Sequence, residues 1–274
     1  MTNGNANALT ELQAIATEAL AALDTCHQIS PFSARLSAFD VDDAYRVTAA
    51  IRQMREMRGE MPVGRKIGFT NRTAWAEYGP IWGYVYNRTV HNLAEIGDTF
   101  WLAGFAEPRI EPEIIFKLAL APAPGMDETA LLACIDWVGH GFEIVHSIFP
   151  GWKFSAPDAV AAFALHGALL IGPSHSIAAH AEDWSRTLST FEIDLKRDGT
   201  VVDQGRGTNV LDGPVSALRY LVDMLVRDQI NPPLAAGEIV TTGTLTRALP
   251  VSAGETWTTE LTGVGLDGIF VHFA

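Results

Sequence analysis

The chain has 274 residues, of which 48% are hydrophobic and 19% charged, and a formal net charge of −13. Such a composition is globular and not disordered, and the length suits one large domain or a small and a large one. So acidic a surface repels phosphate backbones, and the densest basic stretch, Arg52 to Arg58, carries Glu56 within a helical pattern. Nucleic acid is therefore not an expected partner. An anionic substrate would gain nothing from long-range attraction and would need a local cation to hold it. Cys26 and Cys134 are too few for a disulfide framework, which fits a reduced, cytoplasmic setting. The longest apolar run, Ala159 to Gly172, is broken by His166 and too short for a bilayer, so no membrane is expected either. The N-terminus has no basic stretch followed by an apolar block, as a signal peptide would.

Along the chain, Met1 to Ala8 reads as a frayed end. Thr10 with Gln13 reads as a capping box for a helix to about Leu23. Asp40 caps a second helix, with Ala44, Val47, Ile51 and Met54 at helical spacing and Gly59 at its end. Residues 1–62 thus form an N-terminal helical segment, and 63–274 the second unit. From Met61 onward the texture is β-rich. Strands are expected at Arg65–Phe69, Gly83–Val85, Thr99–Trp101, Pro108–Leu118, Gly141–Ile144, Ala168–Ile171, Thr190–Arg197, Glu238–Thr241, Thr256–Leu261 and Phe270–Phe273. Asp198-Gly199 marks a hairpin. Helices are expected at Glu128–Trp137 and from Pro214 to about Asp228. Many strands without regular βαβ alternation predict an α+β fold around an antiparallel or mixed sheet.

The most informative stretch is Pro108 to Phe116, with Glu111 and Glu113 two residues apart. Strand alternation puts both carboxylates, and Arg109, on one face. Like charges side by side need neutralising, by Arg109 or by a bound divalent cation. The plainer alternative is a solvated acidic face. Pro112 lacks a ladder donor and predicts an edge or a bulge there. A third carboxylate, Glu143, lies in an apolar, glycine-flanked setting, where a lone charge is costly unless paired or ligating. Three carboxylates suit a hard cation, Mg²⁺ or Mn²⁺. Upstream, Lys66 alternates with Gly64 and Gly68, which leaves room on its face for a ligand or another backbone. Otherwise Arg65 and Lys66 are two exposed basic residues on a strand.

Together these motifs resemble the 2-hydroxypentadienoate hydratase and 4-oxalocrotonate decarboxylase family of the fumarylacetoacetate-hydrolase-like superfamily. The resemblance runs from about Tyr45 to the C-terminus. It rests on Gly64 to Thr70, Pro108 to Glu113, Phe142 to Val145 with Gly151 to Phe154, Gly205 to Leu221, Thr242 to Thr246, and the tail from Ala253. It implies a fumarylacetoacetate-hydrolase-like mixed β-roll behind the helical segment. It implies Mg²⁺ or Mn²⁺ on Glu111, Glu113 and Glu143, with Lys66 in the active site and Lys66, Arg109 and Thr244 binding a small 2-oxo acid. It also implies a homo-oligomer.

Three positions depart from the family. Trp82 to Arg88 lacks an acidic pair, His146 replaces an Asp, and Asp158-Ala159-Val160, leading to Phe163 and His166, replaces Asp-Asn-Ala. His146 and His166 are either satisfied core histidines or the proton shuttle that replaces a missing carboxylate. Trp75, Trp82, Trp152 and Phe154 are either core or pocket wall. The implied activity is a metal-dependent lyase, a hydratase of 2-hydroxydienoic or 2-oxo-enoic acids working through a metal-stabilised enolate. A 2-oxo acid decarboxylase and an acylpyruvate-type C–C hydrolase share that enolate and remain open. An inactive partner subunit or a 2-oxo acid binding protein is the alternative that is not an enzyme.

Overall fold

The computed structural model describes residues 2–71, 79–178 and 181–274. Its helices are α1 (Thr2–Asp24), α2 (Val41–Met57), α3 (Glu128–Leu132), α4 (Ala156–Ala161), α5 (Ala181–Thr190) and α6 (Pro214–Arg227). The strands are β1 (Pro62–Gly68), β2 (Ile81–Tyr86), β3 (Val90–Asn92), β4 (Thr99–Phe100), β5 (Arg109–Leu118), β6 (Ile135–Val145) and β7 (His166–Ser176). After these come β8 (Glu192–Arg197), β9 (Thr200–Arg206), β10 (Ile239–Thr241), β11 (Leu249–Pro250), β12 (Thr256–Thr262) and β13 (Phe270–Phe273). Among the described residues eight strands form one mixed sheet, in the order β2-β1-β10-β5-β6-β7-β3 with β11 also on β5. Five form a second, in the order β4-β13-β12-β8-β9. The architecture is α+β, as the strand-rich pattern predicts. No helix of the described residues is long and apolar enough to cross a membrane.

The N-terminal helices are held by an apolar stripe. On α2, Ala44, Val47, Thr48 and Ile51 are buried at helical spacing, and the Asp40 side chain accepts a hydrogen bond from Asp43 N. They share a core with Ile15, Ala19 and Leu20 of α1 and with Val160 of α4. Thr10 lies inside α1, which runs back to Thr2, so the helix does not start at Thr10 as expected. No proline interrupts Thr2 to Thr10, and the helix propagates through it.

Two other expectations are corrected. The helix foreseen over Glu128–Trp137 stops at Leu132, because Ile135 already pairs with Leu118 as the start of β6. An apolar run cannot be told from a strand by periodicity alone, and here the ladder with β5 decides. Nor is Pro112 at an edge or a bulge: β5 is interior, and Pro112 sits in regular register with Phe142. Its missing N–H faces the gap between β10, which pairs Ile115 to Lys117, and β11, which pairs Arg109 and Ile110. In that gap Leu245 N donates to Pro112 O. The Asp198-Gly199 hairpin joins β8 to β9, with φ of 49° and 78° as a primed turn requires.

Beside Lys66, Gly64 is set by close strand approach: a Cβ there would stand 2.0 Å from Ile239 O on β10. Gly64→Ala is expected to force β1 off β10 and cost about 1–3 kcal/mol or more. Urea denaturation with an unchanged midpoint would show that the strands are not so tightly apposed.

Candidate metal centre and its surroundings

Register builds the site. On β5 and β6, Glu111 stands directly opposite Glu143, and Glu113 opposite Gly141. Alternation keeps Glu111 and Glu113 on one face, and pairing brings Glu143 to the same face. On β1, Lys66 pairs with Thr241 of β10, which pairs with Ile115 of β5, so Lys66 joins that face from the other side. Glu113 and Glu143 are fully buried and Lys66 is 3% exposed, which removes the readings of a solvated acidic face and an exposed lysine. Arg65, 1% exposed, is held by Glu238 at 3.1 Å and lies over the Tyr84 ring at 3.9 Å.

One ligand oxygen from each of Glu111, Glu113 and Glu143 lies within 4.8 Å of the others. Lys66 Nζ is 3.0 Å from Glu143 Oε2, and His166 Nδ1 is 2.7 Å from Glu143 Oε1. Gly243 N donates to Glu113 Oε2 at 2.8 Å, while Glu113 Oε1 is buried with no hydrogen-bond partner. Gly243 has φ of 98°, and a Cβ there would meet Thr70 Oγ1 at 1.9 Å, so only glycine brings this N–H to the carboxylate. A cavity of about 20 Å³ opens beside Lys66 and Glu111, lined also by Thr70, Gly243 and Thr244 and by an apolar wall that includes Ile81, Val145, Ala164 and Leu165. It has room for one water-sized group, so a larger ligand must displace part of the wall.

The electrostatics separate the carboxylates. Burial, together with Glu143 and Glu111, raises the Glu113 pKa well above the carboxylate range against the pull of Lys66 and Gly243 N. Burial raises Glu111 to about 7, with Lys66 and Arg109 opposing and Glu143 adding to the rise. Glu143 goes the other way, to about 2: burial is the largest single influence, but Lys66 and His166 together outweigh it. Lys66 is raised despite its burial, because all three carboxylates favour its charged form. Burial lowers His166 against Glu143, so the imidazole is neutral. Its Nδ1–H then donates to Glu143, and Nε2 lies 2.8 Å from the Thr89 hydroxyl, which itself donates to Tyr86 O at 3.0 Å.

The remaining candidates fall at varied distances from this cluster. His146 Nδ1 accepts from Ala106 N at 3.4 Å and packs on Phe105, and it has no contact with the carboxylates among the described residues. Burial takes its pKa to about 4. Arg109 is half-buried, with its guanidinium 4.1 Å above the Trp152 ring, and makes no hydrogen bond or ion pair among the described residues. Thr244 lines the cavity, and its hydroxyl donates to Thr246 O. Trp152 is cavity wall, whereas Trp82 is core, stacked on Tyr45, and Phe154 packs against Phe149 and Trp152. Trp75 and His180 lie outside the described residues. Sequence reasoning missed Gly243 N–H, Thr89 and His140. The His140 ring bonds Glu113 O at 3.0 Å and Thr259 Oγ1 at 2.9 Å. Their only advance signals were a Gly amid threonines and a histidine within a strand.

Three buried carboxylates, two of them with an oxygen that no hydrogen bond satisfies, fit a hard divalent cation, and with a buried lysine beside them they define a metal-dependent enzyme site. The comparisons agree. The chain is 30% identical over 250 residues to 2-hydroxyhexa-2,4-dienoate hydratase of Comamonas testosteroni, covering 89% of this chain and 91% of that enzyme. It is 31% identical over 227 residues to 4-oxalocrotonate decarboxylase of Pseudomonas sp. (strain CF600), covering 81% and 82%. The structure of 4-oxalocrotonate decarboxylase from Pseudomonas putida G7, complexed with magnesium and adipate, superposes with a TM-score of 0.86 at 25% identity, over 97% of this chain and 98% of that one. No family model matches. The chain belongs to the 2-hydroxydienoate hydratase and 4-oxalocrotonate decarboxylase family, with the fumarylacetoacetate-hydrolase-like fold.

The raised acids carry a sign. In metal-free protein Glu111 and Glu113 are stable as neutral acids, so chelated protein should lose stability as pH rises through about 7. Mg²⁺ or Mn²⁺ should reverse that loss and release protons on binding below pH 7. Calorimetry at pH 6 in buffers of different ionisation enthalpy measures the release. Binding with no proton release would place the cation elsewhere.

Proposed function

We propose that the protein is a divalent-metal-dependent hydratase of 2-hydroxydienoic or 2-oxo-enoic acids, with Mg²⁺ or Mn²⁺ held by Glu111, Glu113 and Glu143. The observation that carries this is the buried triad pinned between Lys66 and neutral His166. A divalent cation held by these carboxylates would supply Lewis-acid stabilisation of negative charge on a 2-oxo acid. The chain's own groups do the rest. Lys66 stays protonated and presents positive charge to the substrate carboxylate and the enolate oxygen. His166, hydrogen-bonded through Nδ1 to Glu143, fixes that carboxylate and is placed to exchange a proton with it. Thr244 lines the same cavity and would help to hold the substrate carboxylate there. Ile81, Val145, Ala164 and Leu165 exclude water around the tail.

That apolar wall favours an unsubstituted or alkyl tail over a second carboxylate, and hence a hydratase. Arg109 keeps a second reading open, because an unpaired guanidinium over Trp152 suits the second carboxylate of a dicarboxylic 2-oxo acid and so a decarboxylase. A small 2-oxo acid substrate and a homo-oligomeric state are part of this reading.

Ultraviolet loss of monocarboxylic and dicarboxylic dienoates, followed with Mg²⁺ or Mn²⁺, separates the readings. Faster turnover of the monocarboxylates is expected. Metal binding with no turnover across the panel would leave a binding protein or partner subunit. Glu113→Gln should abolish metal-dependent turnover with the fold intact, and full activity would remove it from the site. Lys66→Ala should lower kcat/KM by about 10²-fold or more, a loss typical of a removed electrostatic stabiliser. An equal loss of metal affinity would make it a partner of the carboxylates only.

A further inference from the structure

Among the described residues, six buried side-chain atoms have no hydrogen-bond partner: Arg65 Nε, Thr70 Oγ1, Glu113 Oε1, Glu143 Oε2, His175 Nε2 and Thr241 Oγ1. The two carboxylate oxygens belong to the metal centre, and Glu143 Oε2 also faces Lys66. Thr70 lines the same cavity as Lys66 and Glu111. The residue is 1% exposed. Its backbone carbonyl is used, accepting from Leu211 N at 3.2 Å, while its hydroxyl is not.

A hydroxyl buried without a partner costs about 1–3 kcal/mol, and threonine is easily replaced by isosteric valine where only shape matters. The surroundings aim this one. Phe69, at φ of 57°, turns the chain out of β1, and Gly243 lies so close that any side chain there would strike Thr70 Oγ1. The same Gly243 gives its N–H to Glu113. Thr70 Oγ1 therefore stands against the loop that holds a triad carboxylate, in the cavity where Lys66 supplies the positive charge.

Resting on the reading of the site as a 2-oxo acid centre, we infer that the Thr70 hydroxyl is a substrate-binding group that donates a hydrogen bond to a carboxylate oxygen of the bound 2-oxo acid. The hydroxyl is left unpaired by the protein because the ligand completes it. Thr70 thus gives up stability in the free enzyme for affinity in the complex, whereas a structural threonine would do the reverse.

The test uses oxalate, a bidentate unreactive anion, with Mg²⁺-loaded wild type, Thr70→Val and Thr70→Ser, and the melting temperature of each chelated protein. Thr70→Val should weaken oxalate about 10- to 100-fold, as expected for one hydrogen bond to a charged group. Mg²⁺ affinity should be unchanged and the melting temperature equal or higher, because an unsatisfied group has been removed. Thr70→Ser should restore oxalate binding to within about threefold. Wild-type oxalate affinity in Thr70→Val, or a fall in its melting temperature and Mg²⁺ affinity, would overturn the inference; the second result would mark a hydroxyl satisfied by water or needed for folding. Wild type that binds Mg²⁺ but not oxalate would overturn the 2-oxo acid reading and this inference with it.

Discussion

The structure turns on one cross-strand pair, Glu111 directly opposite Glu143 in the β5–β6 ladder with Glu113 two residues along on the same face. Two carboxylates in register repel, and burying them multiplies the cost. Everything nearby answers that constraint. Lys66 is the buried cation, His166 and Gly243 N–H take two of the oxygens, and the oxygens left over are those a divalent ion needs. Without the cation the protein settles part of the imbalance by holding protons on Glu111 and Glu113, which is why those pKa values rise while that of Glu143, nearest Lys66, falls.

The ladder also has to be interrupted for the site to exist. Pro112 removes a donor where β10 has ended and β11 has not begun, and the loop from Thr242 to Thr246 fills that gap with Gly243 N–H. A continuous strand there would place backbone and side chains where the carboxylates now face a cavity. Gly141 serves the same end on the other side: a Cβ at this position would stand 2.4 Å from Ile115 Cδ1, so glycine lets the neighbouring strands close in beside Glu113.

Much of this was legible in the sequence, and the rest was hidden for definite reasons. Alternation placed Glu111 with Glu113, and glycine flanks made room around Lys66, because both are local properties of a strand. The strands after Met61 mostly fell where turn residues and apolar runs put them, as did α6, whereas α4 and α5 were not foreseen. The opposition of Glu111 to Glu143 was not legible, since register between two strands is a relation between distant segments that no local pattern encodes. For the same reason His166 could not be told from a core histidine until its two partners were seen. Pro112 misled because an edge is the usual solution for a strand proline, and an interior strand with a broken neighbour is a rarer one. Glu128 to Trp137 misled because its apolar spacing fits a helix and a strand alike.

Phe163, Ala164 and Leu165 show what the site asks of its frame. All three have left-handed φ, at 63°, 50° and 66°, and none is glycine. Such a conformation costs roughly 1–2 kcal/mol per residue, so the turn persists only because its surroundings hold it. On one side Gly83 of β2 gives way, since a Cβ there would stand 2.8 Å from Ala164 Cβ. From below, Arg55 of α2, buried and paired with Glu60 at 2.6 Å, lies over Tyr86 at 3.8 Å and beneath Phe163 at 5.9 Å. The turn ends at His166, and Leu165 O accepts from His146 N. Because His166 follows directly on this turn, the packing of Arg55 of α2 against Phe163 bears on the orientation of the imidazole and, through it, of one triad carboxylate.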